Sequence, residues 1–228
     1  MRVLITRPRE DGEAIAARLT ALGHEPLTAP LLEPRWFAGA PLDMSGIAAI
    51  LVTSANGVRA LVRRTERRDI AVFAVGPQTA REAREAGFAR VENADGDAAA
   101  LADAVPRWLA AEAGALLHVC GAPSAGNLAA ALAARGYAVR REILYAVDAV
   151  PLAPDARAAL RAGTLDAALF FSPRSARLFL EQTADLPLHR LTALCISPAT
   201  AAVLPPARFG AVRAAAMPNQ DALLALLA

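Results

Sequence analysis

Short runs of apolar residues alternate along the chain with longer, alanine-rich stretches whose apolar positions recur at helical spacing. This alternation favours βαβ units around a mostly parallel sheet. The pattern predicts strands over residues 2–6, 47–53, 71–75, 116–120, 166–171 and 194–196. It predicts helices over residues 11–22, 56–64, 77–86, 101–113, 124–135, 173–182 and 198–204.

The sequence also repeats itself. Residues 50–61 (ILVTSANGVRAL) resemble residues 168–180, and residues 72–83 (VFAVGPQTAREA) resemble residues 193–204. A third pair matches residues 3–26 with residues 118–139. The chain is therefore predicted to consist of two related halves, although repetition alone does not say which segments pack together.

Two segments rich in proline lose the helical and strand patterns, residues 30–41 and residues 148–154. Loss of periodicity together with proline is typical of linkers. These segments predict a middle domain of about residues 38–146, flanked by segments that could form a second domain. A cleft between two similar domains is a common place for a ligand.

Polar residues follow several predicted strands, at the point where each helix begins. In doubly wound α/β folds this is where ligands bind, because helix N-termini offer free N–H groups and partial positive charge. The alternative is plain helix capping, for which Ser, Thr and Asn are the preferred residues. The candidates in these turns are Thr53, Ser54, Asn56, Gly76, Gln78, Thr79, Ser172, Ser175, Ser197 and Thr200.

Tyr145 and a few arginines complete the set of candidate residues. A phenol can donate a hydrogen bond or a proton at neutral pH, and an arginine can pair with a substrate carboxylate. From the residues alone, packing is the stronger interpretation for Tyr145, and also for Tyr137. The arginines nearest the polar turns are Arg7, Arg59, Arg174 and Arg177.

Composition narrows the class of protein. The 228 residues carry a net charge of +2, which lacks the basic excess expected of a nucleic-acid binder. All the basic residues are arginine, which excludes Schiff-base chemistry on a lysine and a Walker A lysine. The two cysteines are too few for a disulfide framework or a zinc site, and the three histidines are too scattered for a metal pair.

The chain carries neither a GxGxxG fingerprint after a predicted strand nor a GxSxG motif. We therefore expect no metal and no cofactor. The first apolar run is interrupted by Arg7 and is too short for a signal peptide, and no apolar run is long enough to span a membrane. We expect a cytoplasmic protein with no membrane partner.

Six segments together resemble the uroporphyrinogen-III synthase family, and the resemblance covers essentially the whole chain. It rests on their order and spacing, because no single motif is specific. The segments are Thr6-Arg7-Pro8, TSAN at 53–56, GPQTA at 76–80, the stretch from RGYAV at 135–139 to Leu144-Tyr145, FFSP at 170–173, and SPATA at 197–201. One departure is Ser197-Pro198, where the family usually has Gly-Pro.

The resemblance implies a fold of two similar α/β domains with mostly parallel sheets, joined by a two-stranded linker, with a cleft between them. Domain 1 would be discontinuous, residues 1–36 plus 149–228, and domain 2 would be residues 37–146. The family cyclises hydroxymethylbilane, a linear tetrapyrrole with eight carboxylates, to uroporphyrinogen III with inversion of ring D and loss of water. The family needs no cofactor or metal, and the resemblance suggests that this protein is a monomer.

The resemblance also changes the interpretation of the candidate residues. It makes Tyr145 the match for a tyrosine implicated in departure of the substrate hydroxyl. The residues expected to bind substrate are Thr53, Ser54, Asn56, Thr79, Ser172, Ser175, Thr200 and Arg7. The alternative function is a non-catalytic, two-domain protein that binds or senses a small anionic ligand such as a tetrapyrrole, and only product analysis separates the two.

Overall fold

The computed structural model describes residues 1–123 and 127–227, and it divides the chain into two compact units. Unit 1 comprises Met1–Glu33 and Asp148–Ala228, and unit 2 comprises Pro34–Val147. The chain thus leaves unit 1, forms all of unit 2, and returns. In the described part of the chain, no helix is both long and apolar enough to cross a membrane.

Unit 1 contains a five-stranded sheet in the order β11-β10-β9-β1-β2, in which every pair of neighbours is parallel. Its strands are β1 (Arg2–Ile5), β2 (Glu25–Thr28), β9 (Ala167–Phe170), β10 (Thr192–Cys195) and β11 (Ala211–Ala214). Its helices are α1 (Arg9–Ala21), α6 (Pro154–Arg161), α7 (Pro173–Gln182), α8 (Pro198–Ala201) and α9 (Gln220–Leu224). Short 3-10 turns cover Pro206–Arg208 and Ala225–Leu227.

Helices cover both faces of this sheet, which is the usual arrangement for a parallel sheet because both faces are apolar. On one face α6 and α7 pack through Leu160 and Phe179 against Phe170. On the other face Ile15 of α1 and Leu223 of α9 pack against the sheet. The central strands are therefore buried on both sides, and β9 is buried at every residue.

Unit 2 contains a six-stranded sheet in the order β3-β8-β7-β4-β5-β6, with parallel ladders from β8 through β6. Its strands are β3 (Leu32–Trp36), β4 (Ile47–Val52), β5 (Ala71–Ala74), β6 (Val91–Asn93), β7 (Ala115–Ala122) and β8 (Val139–Ala149). Its helices are α2 (Ala55–Val62), α3 (Pro77–Glu85), α4 (Ala98–Trp108) and α5 (Leu128–Ala133), with a 3-10 turn at Ala111–Ala113. Helices α2 and α3 pack on one face of the sheet, and α4 and α5 pack on the other.

The three sequence repeats occupy equivalent strands in the two sheets. The run β10-β9-β1 of unit 1 matches the run β5-β4-β7 of unit 2 in order. Strands β4 and β9 carry the first repeat, β5 and β10 the second, and β7 and β1 the third. Because β1 pairs with β9 in unit 1 and β4 pairs with β7 in unit 2, each unit combines segments from both halves of the sequence.

Several predicted boundaries differ from the structure for local reasons. The helix predicted over 101–113 ends at Trp108, two residues after Pro106, and a 3-10 turn follows after a break. The helix predicted over 198–204 stops at Ala201, shortly before Pro205-Pro206. The helix predicted over 124–135 is seen as Leu128–Ala133, and its expected start at Ser124 lies outside the described residues.

Candidate active site

The hydroxyl groups of Tyr145 and Ser54 form a hydrogen bond 2.7 Å long in unit 2. Tyr145 lies near the carboxyl end of β8, and Ser54 follows β4 directly and caps the N-terminus of α2. Parallel strands present their carboxyl ends at one edge of the sheet, so residues 91 positions apart meet there. Both residues are sequence candidates, but the contact between them was not predicted.

The hydrogen bonds of Ser54 leave two arrangements for the phenol. Ser54 Oγ accepts the N–H of Gly57 at 3.1 Å, and either hydroxyl of the Ser54 and Tyr145 pair can donate to the other. When the Ser54 hydroxyl donates the hydrogen bond to the Tyr145 oxygen, the phenolic O–H is free to donate to a third group. Tyr145 can therefore donate a hydrogen bond to a bound molecule while it keeps its hydrogen bond with Ser54.

Tyr145 keeps its proton at neutral pH. Burial raises the pKa of the phenol above its usual value of 10.0, and this outweighs the hydrogen bond from Ser54, which acts to lower it. The side chain is consequently a neutral hydrogen-bond donor rather than a phenolate base.

An aromatic ring and a cation adjoin this pair. The ring centroid of Trp36 in β3 lies 6.0 Å from that of Tyr145. The guanidinium of Arg63 lies over the Trp36 ring, 4.3 Å from its centroid. Sequence reasoning missed both residues, because residue 36 lies in a segment interpreted as a linker.

The polar turns of α2 and α3 lie on the same side of the unit 2 sheet as Tyr145. Arg59 forms two hydrogen bonds with the Glu82 carboxylate, at 3.0 and 2.8 Å, and a third with Asn56 Oδ1 at 3.3 Å. Arg59 is thus already paired with a carboxylate of its own chain. Thr79 is buried in the first turn of α3, and Thr53 is partly buried beside Ser54.

In unit 1, Ser172 and Ser197 cap the starts of α7 and α8, and Ser175 and Thr200 supply the N–H groups that they cap. Ser172 Oγ accepts the N–H of Ser175 at 3.1 Å, and Ser175 donates its hydroxyl to the Ser172 carbonyl at 2.9 Å. The Ser197 and Thr200 hydroxyls pair at 3.1 Å, and Thr200 is fully buried. These contacts show the capping role, and substrate binding at these three positions (Ser172, Ser175 and Thr200) stays a prediction.

Ser197 does not strain the turn that usually carries glycine. Its φ of −156° and ψ of 160° are extended values, close to those of Gly76 at the start of α3. Any residue adopts this conformation. The serine therefore costs no backbone strain, and its hydroxyl caps the Thr200 N–H at 3.3 Å.

Arg7 follows β1 in unit 1 and is held by two neighbours. Its guanidinium pairs with Asp11 at 2.8 Å and lies 4.8 Å from the ring centroid of Phe171. Both charged side chains are mostly buried. Of the residues that the structure describes, no three His, Cys, Asp or Glu side chains are grouped so that they could hold a metal ion.

Comparisons with known proteins bear on the family and on the fold. The family model described as uroporphyrinogen-III synthase HemD matches residues 13–225. The fold is similar to a uroporphyrinogen-III synthetase from Helicobacter pylori, with 19% identity and a TM-score of 0.69 over 100% of this chain and 98% of that one. It is also similar to a mutant uroporphyrinogen III synthase from the extremely thermophilic bacterium Thermus thermophilus, with 22% identity and a TM-score of 0.53 over 100% and 96% of the two chains. The comparison with curated protein sequences gave no match.

Proposed function

Because the chain belongs to the uroporphyrinogen-III synthase family, we propose that Tyr145, held by Ser54, donates the hydrogen bond that helps the substrate hydroxyl to leave. The family match confirms the interpretation drawn from the six sequence segments. The protein is a cyclising hydro-lyase of tetrapyrrole biosynthesis that converts hydroxymethylbilane into uroporphyrinogen III.

The difficult part of the reaction is to control the orientation of ring D, because the hydroxyl leaves readily. Loss of the hydroxyl gives an azafulvene cation, which closes without an enzyme at the unsubstituted carbon of ring D and yields isomer I. The enzyme must instead bring the substituted carbon to the cation, so that a spirocyclic pyrrolenine forms, fragments and closes again with ring D inverted. Holding two reacting centres in one orientation is a large source of rate enhancement.

The single observation that carries the proposal is the 2.7 Å contact between the Ser54 and Tyr145 hydroxyls. Of the two arrangements of this pair, the proposal takes the one in which Ser54, while its Oγ accepts the Gly57 N–H, donates to the phenol and leaves the phenolic proton for the substrate. The hydroxyl of the substrate leaves as water with this proton. The proton that the last pyrrole ring loses on regaining aromaticity restores the phenol.

We propose that the polar helix starts bind the substrate carboxylates. Support comes from the free N–H groups and partial positive charge that every helix start offers. In unit 2 the proposed residues are Thr53, Asn56 and Thr79, together with Ser54, which contributes through the start of α2 that it caps because its one hydroxyl proton goes to Tyr145. In unit 1 they are Ser172, Ser175, Thr200 and Arg7, where Arg7 is already aligned by Asp11.

We also propose a cytoplasmic monomer that uses neither nucleic acid nor a membrane as partner. Both cysteines are free and buried, which suits a reducing compartment. The net charge of +2 supports the absence of a nucleic-acid partner. Light scattering during gel filtration is expected to give the mass of one chain, and a dimer mass would contradict the monomer.

The activity is tested by mixing the purified protein with freshly generated hydroxymethylbilane, oxidising the products and separating uroporphyrin isomers I and III. We expect isomer III to predominate. Isomer I alone, formed at the rate seen without protein, would overturn the synthase function and leave a binding protein as the alternative.

Ser54→Ala is expected to lower the rate of isomer III formation about tenfold, because the phenol loses the group that orients it. It also removes a helix cap, at a cost of about 1 kcal/mol in folding free energy. Ser54→Thr keeps both hydrogen bonds and is expected to retain most of the activity. The measurements are initial rates of isomer III formation and urea unfolding.

Asn219→Ala is the matched control for the loss of the cap. Asn219 caps α9 through its side-chain oxygen, which accepts the Ala222 N–H at 2.9 Å. This variant is expected to lose similar stability without loss of activity. Equal loss of activity in the two alanine variants would contradict a specific role for Ser54.

A further inference from the structure

The ring of Tyr145 lies directly against the backbone of Gly121 on the neighbouring strand β7. A Cβ atom added at Gly121 would lie 2.6 Å from Tyr145 Cε2, 2.7 Å from Cζ and 3.1 Å from the hydroxyl oxygen. Contacts below about 3 Å are far inside van der Waals separation. Any larger residue at position 121 must therefore displace the ring.

Backbone conformation does not explain this glycine. Gly121 is not among the glycines with positive φ, where a side chain would be strained. It lies inside β7, and a glycine within a strand weakens the strand unless another group approaches closely. In this strand the approaching group is the Tyr145 ring.

An irregularity in the pairing of β7 with β8 brings the ring to this position. Cys120 pairs with Ile143, and the next pair is Gly121 with Tyr145, so Leu144 is skipped. Ile143 is exposed, whereas Leu144 and Tyr145 both join the core cluster beneath α2 and α3. Regular alternation would have placed Tyr145 on the face of Ile143, away from Ser54.

We propose that Gly121 is a positioning residue for the reaction, because its missing side chain sets the depth of the Tyr145 ring and so the place of the phenol hydroxyl. Two contacts fix the phenol: the backbone of Gly121 under the ring and Ser54 at the oxygen. Moving the ring off Gly121 to ordinary contact takes roughly 1 Å, which is enough to break the 2.7 Å hydrogen bond. The inference rests on the proposed role of Tyr145 and adds a residue that does not itself touch the substrate.

The test is a double-mutant cycle that combines Gly121→Ala with Tyr145→Phe. Gly121→Ala alone is expected to lower kcat for isomer III about tenfold, with KM changed by less than about twofold. In the Tyr145→Phe background the same alanine is expected to cause less than about a twofold further loss, because the hydroxyl that it would misplace is absent.

Gly210→Ala is the matched control for steric strain. A Cβ atom at Gly210 would lie 3.0 Å from the His189 carbonyl oxygen. Gly210 directly precedes β11 and so lies at the amino end of a strand, whereas the polar turns follow the carboxyl ends. This variant is expected to lower the melting temperature and leave kcat unchanged. A similar loss of kcat in Gly210→Ala would show that strain alone reduces turnover, and would overturn the inference.

A second measurement needs no activity. Gly121→Ala is expected to lower the melting temperature in the wild-type background and to lower it less when Tyr145→Val has removed the ring. An equal drop in both backgrounds would overturn the inference, because the ring would then not be the group that the Cβ meets.

The outcomes also separate this inference from the proposed function. Wild-type protein that forms only isomer I would refute the function itself. Full activity in Tyr145→Phe would refute the role of the phenol, and with it the reason for positioning it. Full activity in Gly121→Ala alone, or an equal loss of kcat in both backgrounds, would refute the role of Gly121 and leave Tyr145 in place.

Discussion

Replacing Tyr145 with phenylalanine is expected to lower the rate of isomer III formation by about 100-fold. A positioned acid or hydrogen-bond donor contributes about 10² to 10⁴ in rate, and a substrate that loses water readily on its own belongs at the lower end of that range. The ring remains against Gly121, so the fold is expected to persist. The measurement is the rate of isomer III formation, with the ratio of isomers I and III followed in the same samples.

Tyr137→Phe is the matched control, because it removes the hydroxyl of the second tyrosine. Tyr137 is buried and donates its hydroxyl to the Leu109 carbonyl at 2.6 Å, before the start of β8. Its loss leaves the partly buried Leu109 carbonyl without that partner, so stability is expected to fall by about 1 kcal/mol while activity stays near wild type. Wild-type rates in Tyr145→Phe would remove the phenol from the mechanism.

The pKa of Tyr145 sets the pH range over which the phenol can act as a donor. The donor role needs the protonated phenol, and burial raises its pKa above 10.0. The protonated form therefore persists through neutral and mildly alkaline pH, and it is lost only as pH rises past that raised value. A fall in kcat that begins well below pH 10 must come from another group.

The sequence predicts most of the central strands, but it misses the edge strands and the interior strand β8. The central strands β4, β5 and β9 are short, apolar and buried on both faces, so a run of apolar letters is enough to predict them. The edge strands β2, β3, β6 and β11 carry charged or polar residues, and two of them contain proline. Such residues are typical of edges, but in a sequence they resemble loops.

The sequence predicts a discontinuous domain through its two proline-rich segments, and its repeats predict which strands are equivalent. The pattern of residues 50–61 and 168–180 predicts that β4 and β9 are equivalent, and the sheet orders show that they are. It does not predict that β1 joins β9, where Val3 pairs with Ala167, because pairing across such a distance leaves no local trace.

The two members of the hydrogen-bonded pair were predicted separately, for different reasons. Ser54 was found because it stands between a strand and a helix, and Tyr145 because of the family resemblance. Their contact depends on the skipped pairing at Leu144, which breaks the alternation of buried and exposed positions in a way that no propensity predicts. Gly121 was missed because it matters only through its distance from the Tyr145 ring, whereas Trp36 was missed because it lies in a segment interpreted as a linker.

His118 lies on the opposite face of the unit 2 sheet and has no place in this site. It points with Leu116 toward α4 and α5, whereas the phenol lies beneath α2. The side chain is buried, and among the described residues neither ring nitrogen has a hydrogen-bond partner. Burial lowers the pKa of His118 to about 4, and the charge of Arg141 acts in the same direction.

This histidine is expected to make the protein sensitive to acid. Below its ordinary pKa of 6.5 the unfolded chain takes up a proton that the folded chain refuses until about pH 4. The unfolded state thus binds more protons, so the free energy of unfolding falls as pH drops through this window and levels off below it, by about 3 kcal/mol in all.

His118→Leu is accordingly expected to flatten the acid dependence of stability and to raise stability at neutral pH by about 1 to 2 kcal/mol, because a buried polar group without partners is removed. The measurement is urea unfolding at about pH 7 and about pH 4.5. His189→Leu, which removes an exposed histidine of unit 1, is the control and is expected to keep the wild-type acid dependence. An unchanged acid dependence in His118→Leu would mean that the carboxylates, rather than this buried ring, set the acid limit of the fold.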